Sequence, residues 1–185
     1  LVAALSDTNV SVRKAATKSL NKLGKAAAKA LVAALKSKDA GTRARTAELL
    51  AVSGDAWAIP ALLGILKDPN PKVRAAAVNA VGAIDAAGNL SPLLAALKDR
   101  EAKVREEAAR ALGGVKDHKA LKWLLLALTK DSGAKVRKAA AWSLGEMKDR
   151  RALPSLITAL KKDKDADVRL ATVEALGKIR HKGTI

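Results

Sequence analysis

Cysteine is absent from the 185 residues, as are phenylalanine and tyrosine, and tryptophan occurs only three times. Without cysteine there is no disulfide, no thiolate nucleophile and no sulfur ligand for a metal. The two histidines, His118 and His181, are far apart in the chain and lack the spacing of a metal pair; no HExxH stretch occurs. No GxSxG elbow and no glycine-rich phosphate loop is present either. Taken together, these absences point to a chain with no catalytic residues, no metal and no cofactor. Long hydrophobic runs are also missing: stretches such as AIPALLGIL (58–66) are too short to span a bilayer. The chain starts at Leu1 in what reads as the interior of a helix, which suggests a fragment or an array truncated at its N-terminus.

What remains is small and aliphatic. Large aromatics normally fill a globular core. Here Ala, Leu and Val must do so, which suits thin layers of closely packed helices. Apolar residues make up 49% and charged residues 29%, a balance that folds rather than stays disordered. The net charge of +17 is uneven. Residues 1–60 hold ten cations against four acids, 61–115 eight against six, and 116–185 seventeen against eight. Such an excess favours acidic partners and says nothing of fold.

Arginine recurs on a period. Arg13, Arg43, Arg74, Arg105, Arg137 and Arg169 are separated by 30, 31, 31, 32 and 32 residues, the spacing of a solenoid. Setting position 0 at the residue before each arginine (Val12, Thr42, Val73, Val104, Val136, Val168) aligns the remainder. Small residues fall at +4, Leu or Val at +8, and Leu, Ser, Ile, Val or Met at +11, a single helical stripe. A second helical pattern lies between the stripes, as in AIPALLGILKD (58–68) and ALPSLITALKKD (152–163). Asp55, Asp117 and Asp149 are placed as its N-caps, with Pro60, Pro92 and Pro154 near its start. Each repeat is therefore helix A, a tight loop and helix B. Six repeats are expected at about 1–23, 24–53, 54–84, 85–115, 116–147 and 148–181, forming one array over 1–185. Glycine stands at +9 in four of them (Gly82, Gly113, Gly145, Gly177), where a neighbouring helix is expected to approach too closely for a side chain. Asn21 and Ala51 interrupt that rule, so repeats 1 and 2 should pack less tightly there.

The D-x5-R spacing, the VRxxAxxxLGxI second helix and the ALPxLIxAL first helix resemble the short HEAT repeats named after phycobiliprotein lyases. They are also similar to artificial consensus proteins built from that repeat. Tetratricopeptide and ankyrin arrays have similar periods but need Tyr/Phe positions or a TPLH turn, and neither is present. The resemblance implies an all-α, right-handed α-solenoid of about six helix pairs. It also implies a ladder of acid–base pairs along the solenoid, with Asp7, Asp68, Asp99, Asp131 and Asp163 meeting Arg13, Arg74, Arg105, Arg137 and Arg169 in their own or an adjacent repeat. Repeat 2 has Ser37 in the aspartate position. A chromophore-lyase role follows from the family label alone.

A partner is expected on the helix-B face, with positions −1, +2, +3, +6 and +10 outward. Lys72, Lys103 and Lys135 share position −1, and rows of neighbouring helices sit roughly 8–10 Å apart. Lys14, Lys18, Arg110, Lys138 and Lys178 extend that face, Glu48, Glu106, Glu107, Glu146 and Glu174 interrupt it, and Trp142 at +6 is its aromatic candidate. Trp57 and Trp123, near the starts of A helices, read as packing residues. The expected role is a non-catalytic scaffold presenting a basic groove to an acidic protein. The alternative is binding of a nucleic-acid backbone along the lysine row, as in HEAT-like DNA-binding proteins. Leu170 and Val173 of the last helix have no following repeat to cover them, so end-to-end self-association or a longer array is expected.

Overall fold

The computed structural model describes residues 1–115 and 117–180, without the side chains of Lys25, His118 and Arg180. The chain divides into two compact units, Leu1–Asp85 and Ala86–Ile185. In the first, a 3₁₀ turn (Ala3–Ser6) stands in the helix-A position of repeat 1 and is followed by α1 (Val10–Leu23). Then come α2 (Ala28–Ala34), α3 (Ala40–Ser53), α4 (Ile59–Gly64) and α5 (Pro71–Asp85). In the second unit the order is α6 (Leu90–Ala96), α7 (Ala102–Leu112), α8 (His118–Lys130), α9 (Ala134–Met147), α10 (Leu153–Lys162) and α11 (Ala166–Arg180). No strand occurs among the described residues. Even-numbered helices take the A role and odd-numbered ones the B role. Within each unit the B helices lie side by side: α1, α3 and α5 in the first, α7, α9 and α11 in the second.

The caps are those the sequence requires. Asp55, Asp117 and Asp149 accept the amide N–H groups of Trp57, Lys119 and Arg151. Asn9 and Asp39 do the same for α1 and α3, accepting from Ser11 and Thr42. Each acceptor satisfies a donor that the helix itself leaves orphaned.

Position 0 is buried in repeats 2 to 6, +4 in all six and +8 in repeats 1 to 5, Leu176 being half-covered. Repeat 1 departs from the pattern, because Val12 and Leu23 are exposed. A single 3₁₀ turn cannot cover the face that a full A helix covers elsewhere. The structure also differs at +2 and +3, expected outward: Ala75, Ala76, Glu106 and Ala139 are buried. Within its unit each B helix contacts one B neighbour, and α3 and α9 two, besides the A element of its own repeat. A stripe of 0, +4, +8 and +11 describes only the last of these contacts.

Glycine at +9 marks the tightest approach. A Cβ at Gly113 would lie 2.8 Å from Ser143 Oγ, and one at Gly145 would lie 2.8 Å from Ala175 Cα. Ser143 donates from Oγ to the Ala109 carbonyl at 2.7 Å, bonding α9 to α7 inside that contact. At Gly177, in the last B helix, no described atom comes within 4 Å.

Candidate functional site

An arginine near a helix start opposes the helix dipole. Its local purpose is visible in the hydrogen bonds. In every repeat Nη1 reaches back to two carbonyls of the A–B loop: Arg13 to Asp7 and Thr8, Arg43 to Ser37 and Lys38, Arg74 to Asp68 and Pro69. Arg105 does so to Asp99 and Arg100, Arg137 to Asp131 and Ser132, and Arg169 to Asp163 and Lys164. Asp131 and Asp163 are the C-caps of α8 and α10, so the cation sits at the negative end of helix A.

The other guanidinium edge clamps the aspartate of the next repeat. Nε and Nη2 bond the two carboxylate oxygens at 2.7 and 2.9 Å in Arg43–Asp68, Arg105–Asp131 and Arg137–Asp163. These bidentate pairs cross between repeats. The same carboxylates accept the amide two residues on, at Asn70, Gly133 and Asp165. For Asp68 and Asp163, the arginine bonds hold the carboxyl below its ordinary range despite burial. At Asp131 burial is the largest influence and pushes upward, but the Arg105 and Gly133 bonds outweigh it. A carboxyl depressed in the folded state contributes stability that is present above its unfolded pKa, about 3.9, and is lost as pH falls through the folded value. Urea midpoints measured from pH 6 downwards should therefore hold steady to about pH 4 and then drop. In the Asp131→Asn and Asp163→Asn double variant that drop should shrink.

The ladder is open in two places among the described residues. The repeat after Arg13 carries Ser37 in the aspartate position, and Arg169 is the last of the six arginines. Both keep only their carbonyl bonds. Asp7, at the other end, accepts only the Asn9 amide on its carboxylate.

The expected partner-binding residues fall into two groups. In the second unit most are neutralised. Lys103 bonds Glu106 at 3.3 Å and Glu107 at 2.7 Å, which raises its pKa through the Glu107 bond first. Arg110 bonds Glu106 at 3.0 Å. Lys138 bonds Asp167 at 2.8 Å and Lys178 bonds Glu146 at 2.5 Å, each joining α9 to α11. Trp142 is 40% exposed, with the Lys178 ammonium over its ring at 5.7 Å. Lys138 and Lys178 thus brace α9 against α11, Lys103 and Arg110 pair within α7, and three of the glutamates expected to interrupt this face, Glu106, Glu107 and Glu146, are the acids they meet. Lys135 is exposed and unpaired among the described residues. The spacing of opposite charges at matching repeat positions, Glu146 and Lys178 both at +10, is the signal that reveals such pairs.

In the first unit the three lysines expected on this face are unpaired. Lys14, Lys18 and Lys72 are exposed and have no ion-pair partner among the described residues. A groove of about 560 Å³ runs along α1 and is lined by Arg13, Lys14, Lys18, Lys22 and Arg45, with Val10, Thr17 and Asn21 between them. No carboxylate lines it. The groove opens where Asn21 replaces the usual glycine, and where Arg45 occupies the +3 position that holds Ala76 in α5 and Ala139 in α9. Arg45 bonds the Leu5 carbonyl and approaches Asp39 at 3.6 Å, while its Nε and the neighbouring Thr46 Oγ1 are buried without a hydrogen-bond partner. A large side chain at a helix-contact position accompanies the sparse contact of α1 with α3, as expected from Asn21, whereas α3 packs extensively on α5 although Ala51 stands in the glycine position.

Trp123 is half-buried under Lys98, 4.4 Å from its ring, whereas Trp57 is exposed on a 3₁₀ turn rather than packed. His181 and the side chain of His118 lie outside what the structure describes. No cluster of three His, Cys, Asp or Glu residues able to hold a metal occurs among the described residues, and no described helix is long and apolar enough to cross a membrane.

Comparison with known proteins agrees with this architecture. A family model described as HEAT repeats matches residues 28–96 and 90–177. The solved YibA protein of Escherichia coli is 27% identical, with 97% of this chain and 66% of that one covered at a TM-score of 0.64. A designed armadillo repeat protein in complex with the peptide (KR)4 is 20% identical, with 96% and 97% covered and a TM-score of 0.64. The CpcE–CpcF complex of phycocyanin lyase from a Nostoc species is 22% identical, with 95% of each chain covered and a TM-score of 0.52. No curated protein sequence matches the chain.

Proposed function

Because this chain is a member of the HEAT repeat family, all-α and of the α-solenoid class, we propose that it is a non-catalytic interaction scaffold whose α1 groove takes an acidic segment of a partner protein. The observation that carries this reading is the groove itself: four cations of α1 and one of α3 with no carboxylate among them, in a chain whose other basic face is largely neutralised internally. Lys14 and Lys18 are one turn apart on α1, a rise of about 6 Å. Two residues of an extended chain advance about 6.8 Å. Carboxylates at alternate positions of an extended peptide therefore match the lysine spacing. The unengaged edge of Arg13 offers a fork of the kind that clamps aspartate elsewhere in the chain. Peptide binding by the designed armadillo relative supports a protein partner, with the charges reversed.

The test is a fluorescence-anisotropy titration with a labelled peptide carrying Glu at alternate positions, alongside a peptide of the same composition with its Glu residues in one block. The alternating peptide should bind more tightly. Lys14→Glu combined with Lys18→Glu should weaken it by about tenfold or more. A labelled single-stranded oligonucleotide is the competing probe. Tighter oligonucleotide binding with a steep salt dependence, lost on changing Lys72 and Lys135 to Glu, would replace this reading with nucleic-acid backbone binding. The scarcity of aromatic side chains for base stacking weighs against that outcome.

A further inference from the structure

Within the second unit the A helices α6, α8 and α10 touch one another sparsely, whereas the B helices pack along each other. The A side is therefore grooved, and α8 differs from the other A helices in what it places there. Each A helix carries one fully buried leucine: Leu31, Leu62, Leu93, Leu124 or Leu156. The residue before it is Ala30, Ala61, Pro92 or Ser155 in the others and Trp123 in α8. Two residues after it stand Ala33, Gly64, Ala95 or Thr158, and Leu126 in α8. The repeat needs only a small or polar residue at either place, so packing alone does not account for this pair.

Trp123 and Leu126 are three apart, on one face of α8. Leu126 is 48% exposed, and both residues line a groove on each side of the helix. The larger groove, toward α10, has a volume of about 640 Å³. It is lined by Leu121, Trp123, Leu125 and Leu126, with Lys122 and Arg151 beside them, and no carboxylate is among its lining residues. Lys98, whose ammonium is 4.4 Å from the Trp123 ring, and Lys130 line the smaller groove. Lys98, Lys122 and Lys130 are exposed and form no ion pair among the described residues. The acid in the smaller groove, Asp131, is already clamped by Arg105.

We propose that this face of α8 docks a short segment of a partner protein in which one aromatic residue is flanked on both sides by acids. The aromatic ring enters the apolar groove beside Trp123, and the acids meet the unpaired lysines. Lys122 and Lys130 are separated by a rise of about 12 Å along α8. About four residues of extended chain cover that distance, which places an acid two residues to either side of the ring. An apolar cleft of this size receives an inserted side chain, whereas a flat lipid surface would leave it unfilled. The site lies in the second unit and does not depend on the α1 groove.

The probe is a labelled peptide with a single Phe and a Glu two residues to either side, titrated by fluorescence anisotropy. Replacing its Phe by Ala should weaken binding by about tenfold or more. Trp123→Ser and Leu126→Thr install the residues that α10 carries at the same positions, so the helical circular-dichroism signal should persist while each weakens binding by about tenfold or more. Lys98→Glu combined with Lys122→Glu should do the same. Lys14→Glu combined with Lys18→Glu should leave this binding unchanged, which separates the site from the α1 groove. In a chain carrying Trp57→Phe and Trp142→Phe, the remaining Trp123 emission should shift to shorter wavelength as the peptide binds. Absence of binding, equal affinity for the Phe and Ala peptides, indifference to Trp123→Ser and Leu126→Thr, or loss of binding through the α1 pair would each overturn the proposal. So would an emission shift on phosphatidylserine vesicles with none on the peptide, because this face would then meet a lipid surface.

Discussion

Replacing Gly145 by alanine is expected to destabilise the second unit by about 3 kcal/mol, at the upper end of overpacking costs. The added Cβ would stand 2.8 Å from Ala175 Cα and 2.9 Å from its Cβ, and neither atom can turn away, since both are fixed by the α11 backbone. Alanine is elsewhere the best helix former, so intrinsic propensity acts in the opposite direction. Gly177→Ala isolates that propensity. It changes the same repeat position in the last helix, where no described atom is within 4 Å, and should stabilise by about 0.5–1 kcal/mol. Urea denaturation of the two variants should move the midpoint in opposite directions. Equal effects would show that the glycines are not set by helix–helix approach.

Arg105→Ala should cost about 3 kcal/mol in the same assay, in the range for removing one partner of a buried ion pair. It deletes two bonds to the Asp131 carboxylate and two to the Asp99 and Arg100 carbonyls, and leaves Asp131 nine-tenths buried without its cation. Arg105→Lys should recover little of the loss, because one ammonium cannot serve a planar carboxylate and two carbonyls together. Arg169→Ala supplies the comparison. It loses carbonyl bonds alone and should cost about 1 kcal/mol. If Arg105→Ala and Arg169→Ala are equally mild, the clamp between repeats contributes nothing and the arginines act only within their own loops.

Much of the fold was legible because a repeat states the same local rule several times. The Val–Arg start, the small +4 residue and the +9 glycine each recur, and the buried stripe and close approaches follow from them. Burial at +2, +3, +5 and +7 was not legible in the same way. Alanine at those positions suits an exposed helix as well as a tight one, and only the neighbouring B helices decide between them. The basic face was harder still. Lys138 and Asp167, or Glu146 and Lys178, are about thirty residues apart, and their pairing depends on the register of α9 against α11. Counting charge along one helix leaves such neutralisation out, so Lys103, Arg110, Lys138 and Lys178 read as available when they are engaged. The α1 groove showed only indirectly, through an asparagine where glycine belongs and an arginine where the other repeats are mostly alanine.

Hydrogen exchange of the full chain with and without the alternating-glutamate peptide locates the interaction most directly. Occupation of the groove should slow exchange across Val10–Leu23 and Ala40–Ser53, since a ligand that braces α1 against α3 suppresses their local opening. Protection confined to Ala134–Met147 and Ala166–Arg180, with α1 unchanged at saturating peptide, would contradict a binding site on the first helices.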